Sequence, residues 1–459
     1  MINNNNSNEA NKLGTENVGR LICKMSIPIM FSMMVMALYN VVDSIFISHY
    51  SAKSLASLSI VFPLQMGIIA VSTGTAIGIN SLTSRYLGAG NKEKANKTAL
   101  TGMWLEIISS LFFIVFGIFF SGIFARAFSQ DPEIINGTKV YLSICLIIST
   151  PLMFASVLER LMQAEGDSFH PMIVQIVSAL INIVFDPIFI YGLGPFPEMG
   201  VAGAALATVL GQIVGCIIAY VFYRRINILS ARIHNLIKFK PEKNTVKEIY
   251  KIALPSIILQ GLTSVSTLLM NLIVVVFSDI AVAVFGLYFK VQSFLFMPLF
   301  GLNSGVIPIV GYNYGARDKS RIIKAIKLSM IIGCAIMAAG TLLFQVFPNL
   351  ILSPFKTTEE MNRIAYTAFR IISIGFIFSA IAVVINGFFM GIGAGVSAMS
   401  VNLARQLILL VPLAFILSKT TLGLSGVWIA FPISDVISSV LACALFVKEK
   451  NKIDRKNYW

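Results

Sequence analysis

Twelve predominantly apolar stretches, most of them near twenty residues long, follow one another along the chain. They lie at roughly 25–47, 55–84, 98–124, 139–163, 172–192, 201–223, 250–276, 281–310, 322–347, 362–390, 397–418 and 425–447. A run of that length spans the hydrocarbon core of a bilayer as an α-helix. The runs are continuously apolar and do not alternate every second residue, which excludes a transmembrane β-barrel. The expected fold is therefore an all-α polytopic membrane protein with twelve transmembrane helices. Composition agrees: 56% of the 459 residues are hydrophobic, 12% are charged and the mean hydropathy is +0.82, too little polar surface to coat a soluble globule.

The first 20 residues are Asn-rich and have no apolar core of a signal peptide, so 1–20 reads as a disordered cytoplasmic leader. Alternating the connections from a cytoplasmic N-terminus puts 25 of the 35 Lys and Arg on the inner side. The outer connections hold seven: Lys53, Arg126, Lys139, Lys356, Arg363, Arg370 and Lys419. Retention of basic loops sets orientation, so both termini are expected in the cytoplasm of a bacterial-type cell, with the chain multi-pass in its plasma membrane. The net charge of +14 follows that topological rule, and no nucleic-acid partner is expected.

The two halves repeat. Shifting residues 25–100 by 227 places them on 252–327 without a gap, and eleven of the 76 pairs are identical, among them Pro28 with Pro255, Gln65 with Gln292, Gly74 with Gly301, Gly78 with Gly305 and Gly88 with Gly315. An even number of spans per half implies parallel repeats about an axis along the membrane normal. The expected organisation is an N-lobe over 21–223, a cytoplasmic linker over 224–250, a C-lobe over 251–447 and a basic tail over 448–459, the two six-helix lobes being pseudo-symmetric about a central cleft. A monomer is expected.

Against that repeat, four polar residues at membrane depth stand out. Asp43, Asn182 and Asp186 have Met270, Leu409 and Leu413 as their counterparts, and Thr208 pairs with Phe431 across a shorter final loop. A structural requirement of the fold would recur in both halves. Asn182 and Asp186 share a helical face, and Tyr39 stands on the face of Asp43, four residues before it. Desolvation disfavours the charged form of a carboxylate at membrane depth, the property a proton carrier needs. Two carboxylates, an amide and a hydroxyl suit Na⁺ equally well, so residue type alone leaves both ions open.

The remaining candidates line the expected cleft: Met33, Met34, Gln65, Glu159, Gln260, Lys290, Gln292, Met297 and Arg405. Flexible thioethers, with Phe294, Phe296 and Phe300 beside Met297, can repack around lipophilic cations of different shape. Glu159 reads either as an attractor for a cationic ligand or as half of a structural pair with Lys290 or Arg405, and Asp435 as paired within the C-lobe. His49, His170 and His234 are scattered, the five cysteines show no metal spacing, and no GxxxxGK[ST] phosphate loop is present. Neither an enzyme nor a resident cofactor is expected.

The first helix ending YNVVDSIFI, the loop LGAGNKEKA with its echo YGARDKSR, the stretch NIVFDPIFIYGLG, and the pair GVAGAALAT and SGVWIAFPISD together resemble the multidrug and toxic compound extrusion family over essentially the whole chain. Met and Phe content and the lack of C-lobe acids look more like its MepA-type and DinF-type branches than its NorM-type branch. The resemblance implies a cation-coupled antiporter that exports amphipathic, mostly cationic compounds by alternating access. It also implies an N-lobe cation site on Asp43, Asn182, Asp186 and Thr208, and a first helix that bends at Pro28 when the acids are protonated. A flippase for lipid-linked precursors shares the distant architecture, and a non-transporting channel or scaffold is the alternative outside transport.

Overall fold

The computed structural model describes residues 12–226, 229, 231, 236, 239–355 and 358–455. Numbering the long helices in chain order, the first lobe comprises α1 (Val18–Tyr50), α2 (Ala52–Gly88), α3 (Lys92–Phe119), α4 (Pro132–Ile147), α5 (Thr150–Ala164), α6 (Phe169–Tyr191) and α7 (Val201–Ile226). The second comprises α8 (Lys243–Val274), α9 (Asp279–Gly315), α10 (Lys319–Val346), α11 (Glu359–Ser373), α12 (Phe376–Ile392), α13 (Gly395–Ser418) and α14 (Leu424–Arg455). Among the described residues ten helices are long and apolar enough to cross a membrane, and α4–α5 and α11–α12 each complete one more span, bent by 46° and 48°.

Both bends fall inside runs that the sequence reads as continuous spans. At the first, Pro151 lacks the amide that would carry the helix on from Ile147. At the second, side chains take up carbonyls freed by the bend. Thr341 donates from its hydroxyl to the Ser373 carbonyl at 2.9 Å, and Gln345 donates to that of Arg370 at 2.6 Å.

Turn chemistry repeats as closely as the hydrophobic pattern does. Asn91 and Asp318, 227 apart, cap α3 and α10 by accepting from the amides of Lys94 and Arg321. Just before them, Gly90 and Arg317 hold left-handed backbone at φ of 73° and 61°. Glycine adopts this conformation freely, whereas the arginine holds it against steric cost.

Three expected boundaries shift. Residues 12–20, assigned to a disordered leader, are folded: Lys12–Thr15 forms a helical turn, Leu13 is buried, and its carbonyl accepts from Asn313 and Arg321. Residues 1–11 lie outside the described set. The linker narrows to the stretch between Ile226 and Lys243, where Leu229 donates to Glu165 at 3.1 Å. The tail continues α14 as helix to Arg455.

The lobes meet where glycines remove the side chains between crossing helices. A Cβ on Gly74 of α2 would meet the Ile257 amide of α8 at 2.9 Å, and one on Gly301 of α9 would meet the Met30 backbone of α1 at 2.7 Å. At the basic end Gly88 lies against the Tyr312 carbonyl and Gly315 against the Arg85 carbonyl. Both contacts map onto each other under the 227 shift, so the lobes close on their own pseudo-two-fold axis. Gln260 extends the seam outward by donating to Thr73 at 2.7 Å.

Beyond that point the facing surfaces part. On α1, the face that meets α9 through Ser26 and Met30 continues outward at helical spacing as Met33, Ala37, Asn40, Ser44 and Ser48, and the last three are exposed. On α9, the face of Gly311 and Gly315 continues as Met297, Ser293, Lys290 and Gly286, the last three exposed. A cleft between the lobes therefore opens away from the basic end.

Candidate functional site

Asp43, Asn182, Asp186 and Thr208 converge inside the first lobe, where α1, α6 and α7 pack together. Small residues make the approach of α6 and α7 close: a Cβ on Gly211 would sit 2.6 Å from the Ser178 carbonyl. Tyr191 pins α1 from the other side, donating to the Phe46 carbonyl at 2.8 Å, about one turn beyond Asp43. The side chains are sealed, with Asp186 0%, Asn182 3% and Asp43 9% exposed.

The polar contacts form one connected set. The Asn182 amide donates to Asp186 Oδ1 and to Thr208 Oγ1, each at 3.2 Å. Asp43 and Asp186 lie within hydrogen-bonding reach of each other. That leaves Asp43 Oδ1, Asp186 Oδ2 and Asn182 Oδ1 buried with no hydrogen-bond partner. Three orphaned acceptor oxygens in one site fit a proton or a small hard cation, since buried acceptors otherwise carry a desolvation penalty. Among the described residues no group of three or more His, Cys, Asp or Glu is placed so that it could hold a metal ion.

Tyr39 is half-buried, and Asp43 ranks among the charges it senses. The sequence reading missed Tyr141 on α4, whose buried hydroxyl accepts from the Gln65 amide at 3.1 Å and which neighbours both Asp43 and Thr208. Gln65 thus belongs to the acid site's surroundings. Glu106 was missed too: it is 1% exposed and neither carboxyl oxygen has a hydrogen-bond partner. The same asymmetry could have found both, since their counterparts at the 227 shift are Ala368 and Gly333.

The cleft candidates scatter. Met33 lies on the polar face of α1, but Met34 belongs to a wholly apolar exposed stripe with Ile27, Phe31, Leu38, Val41 and Ile45, the lipid side of the helix. Gln260 spans the seam, Gln292 and Met297 are half-buried, and Lys290 is exposed on the cleft face. Glu159 sits inside the first lobe and accepts from Gln175 at 2.6 Å, far in sequence from both proposed basic partners. Arg405 donates to Asp435 at 2.5 Å and to Ser379 at 3.1 Å. It stands in a π-helical stretch of α13, Ala404–Leu410, which turns it toward α14. Pro28 lies inside α1 between Ser26 and Met30, the two residues that α9 grips.

A family profile described as MatE matches residues 28–188 and 255–416, two blocks that start 227 residues apart. Among characterised relatives, the "Probable multidrug resistance protein NorM" of Thermotoga maritima is 26% identical over 94% of this chain and 92% of its own length. The "Multidrug export protein MepA" of Staphylococcus haemolyticus is 24% identical over 93% of each. A solved structure described as the outward-facing conformation of a multidrug resistance MATE family transporter superposes with a TM-score of 0.90 at 26% identity, covering 97% of this chain and 98% of that one.

Proposed function

The chain belongs to the MatE family and is a secondary membrane transporter, not an enzyme, and from that premise we propose that it exports amphipathic, lipophilic compounds, cationic ones foremost, in exchange for H⁺ or Na⁺ taken up at Asp43 and Asp186. The relatives named for multidrug export support the substrate class. The basic end, which carries Arg85, Lys92, Lys319 and Arg321, supports an orientation with both termini in the cytoplasm of a bacterial-type cell.

One contrast carries the coupling. The buried acid of the second lobe, Asp435, has a cation of its own in Arg405. Among the described residues no Lys, Arg or His forms an ion pair with Asp43 or Asp186. Two carboxyls in reach of each other at low dielectric cannot both remain charged and uncompensated. The first lobe must therefore borrow a cation from solution, whereas the second carries one in its sequence.

Taking up that cation removes repulsion between α1, which bears Asp43, and α6, which bears Asp186. The helices can then close on each other, with Pro28 as the point where α1 yields. Closure of α1 would narrow the cleft wall formed by Met33, Asn40 and Ser44 and release a bound compound toward the open end. The flippase alternative asks for a basic cleft, but Arg405 is occupied by Asp435, leaving Lys290 as the cation on the cleft face.

Purified protein in vesicles, given pH and Na⁺ gradients separately, tests the reading. Substrate movement should follow one of the two gradients, and Asp43→Asn should abolish it while the protein still folds and binds substrate. Full gradient-driven transport by Asp43→Asn would remove the pair from the mechanism.

A further inference from the structure

Asp186 and Asn182 begin a polar stripe that does not stop at the cation site. One further turn along α6 stands Ser178 and one more stands Gln175, at spacings of four, four and three that keep all four side chains on one helical face. The stripe ends on Glu159 of α5, which accepts from the Gln175 amide at 2.6 Å. The opposite wall is α7, where Gly211 and Gly215 let Ser178 pack directly against the backbone, and the Ser178 hydroxyl donates to the Val174 carbonyl at 2.9 Å.

Accessibility changes along the way. Asp186 and Asn182 are sealed, whereas Ser178, Gln175 and Glu159 are half-buried. The stripe therefore runs from a sealed site toward a more accessible inner half. Gln175 Oε1 is buried with no hydrogen-bond partner, a position that a water molecule would satisfy. The charged or titratable groups facing Glu159 are its neighbour Arg160 and Cys216 of α7. Arg160 is turned away to Gln163, which it meets at 2.9 Å, so among the described residues Glu159 has no ion pair.

We propose that Glu159 is a second proton-carrying group of the first lobe, receiving along the polar face of α6 the proton first bound by Asp43 and Asp186. This rests on the coupling reading above and commits it to H⁺. In the transfer, the O–H bond of the Asp186 carboxylic acid breaks and an O–H bond forms on the Glu159 carboxylate. The proton passes through bridging water and the Ser178 hydroxyl, which accepts one proton as it releases its own by turning that O–H from the Val174 carbonyl toward the next water. The amides of Asn182 and Gln175 hold the two ends in place and do not carry the proton. After transfer the Asp43–Asp186 pair is again without its borrowed proton and ready to take up the next, and Glu159 delivers the proton to water on the basic side.

The experiment compares the wild type, Glu159→Gln and Glu159→Asp in vesicles driven by a pH gradient, with substrate affinity measured separately in detergent. The glutamine variant can still accept from Gln175, so fold and affinity should persist while efflux falls on the order of a hundredfold, the lower end of what a positioned proton-transfer group contributes. Glu159→Asp should retain a good part of the rate, and a small weak acid such as azide should rescue the glutamine variant. Unchanged efflux in Glu159→Gln, or a loss that azide does not relieve, would overturn the role of Glu159 while leaving the acid pair intact. Wild-type efflux driven by Na⁺ and indifferent to pH would instead overturn the proton reading of the pair and the relay with it.

Discussion

Asp435 and Asp43 are both acids sealed in a membrane lobe, and what separates them is a single neighbouring arginine. Removing one partner of a buried ion pair strands the other, which costs about 3–5 kcal/mol, while replacing both with apolar residues of similar volume is often neutral. Arg405→Met alone should therefore lower the thermal unfolding midpoint markedly, and Arg405→Met with Asp435→Leu should restore it, as read by tryptophan or thiol-dye melting. Transport in the double variant should stay ion-coupled, because the proposed coupling assigns ion uptake to the first lobe alone. At this scale the sequence was partly legible. Asp43, Asn182, Asp186 and Thr208 stood out because their counterparts are apolar. Asp435 was read as paired within the C-lobe, but Arg405 was not named as its partner, since the bond joins residues thirty apart on different helices and depends on a π-helical turn that no pattern announces. Glu159 was visible as a charge, but its partner Gln175 was not, because neither periodicity nor repeat says which helix faces which.

Among the elements, α2 and α9 set the geometry of closure, and glycine is what lets them cross. A side chain at Gly315 would press on the Arg85 carbonyl, a backbone atom that cannot rotate away. Gly315→Val should cost about 1–3 kcal/mol by overpacking and should loosen the seam at the basic end first. Hydrogen exchange in the loops 89–91 and 316–318 would then rise and a thiol placed at Ser81 would become reactive, whereas protection at both places equal to the wild type would show that the crossing tolerates a side chain. The equivalent change at Gly67, where a Cβ meets open space, should be silent. Helix spans were readable from hydropathy. The bends after Ile147 and Ser373 were not, because the apolar run continues across them, and at the second the freed carbonyls are satisfied by side chains on another helix.

For the whole molecule, the proposed alternating access requires the seam to open at the basic end as the cleft closes at the other. Thr73 and Gln260, hydrogen-bonded across the lobes, mark where closed seam gives way to open cleft. With the exposed Cys23 and Cys443 replaced, Thr73→Cys combined with Gln260→Cys and bridged by a short, cleavable thiol reagent should stop efflux, and cleaving the bridge should restore it. Persistent transport in the bridged form would mean that the lobes do not separate there. Gly88 on Tyr312 and Gly315 on Arg85 bear on how such a molecule could arise. Each glycine rests on the counterpart of the residue that supports the other, which makes the closure isologous in the sense used for two-fold dimers. Two copies of a single half would meet in the same way, with no contact left to invent. In that ancestor every site would have been present twice. A later linker would then let one copy keep a pair of acids without a cation of their own, while the other holds an arginine against its single buried acid.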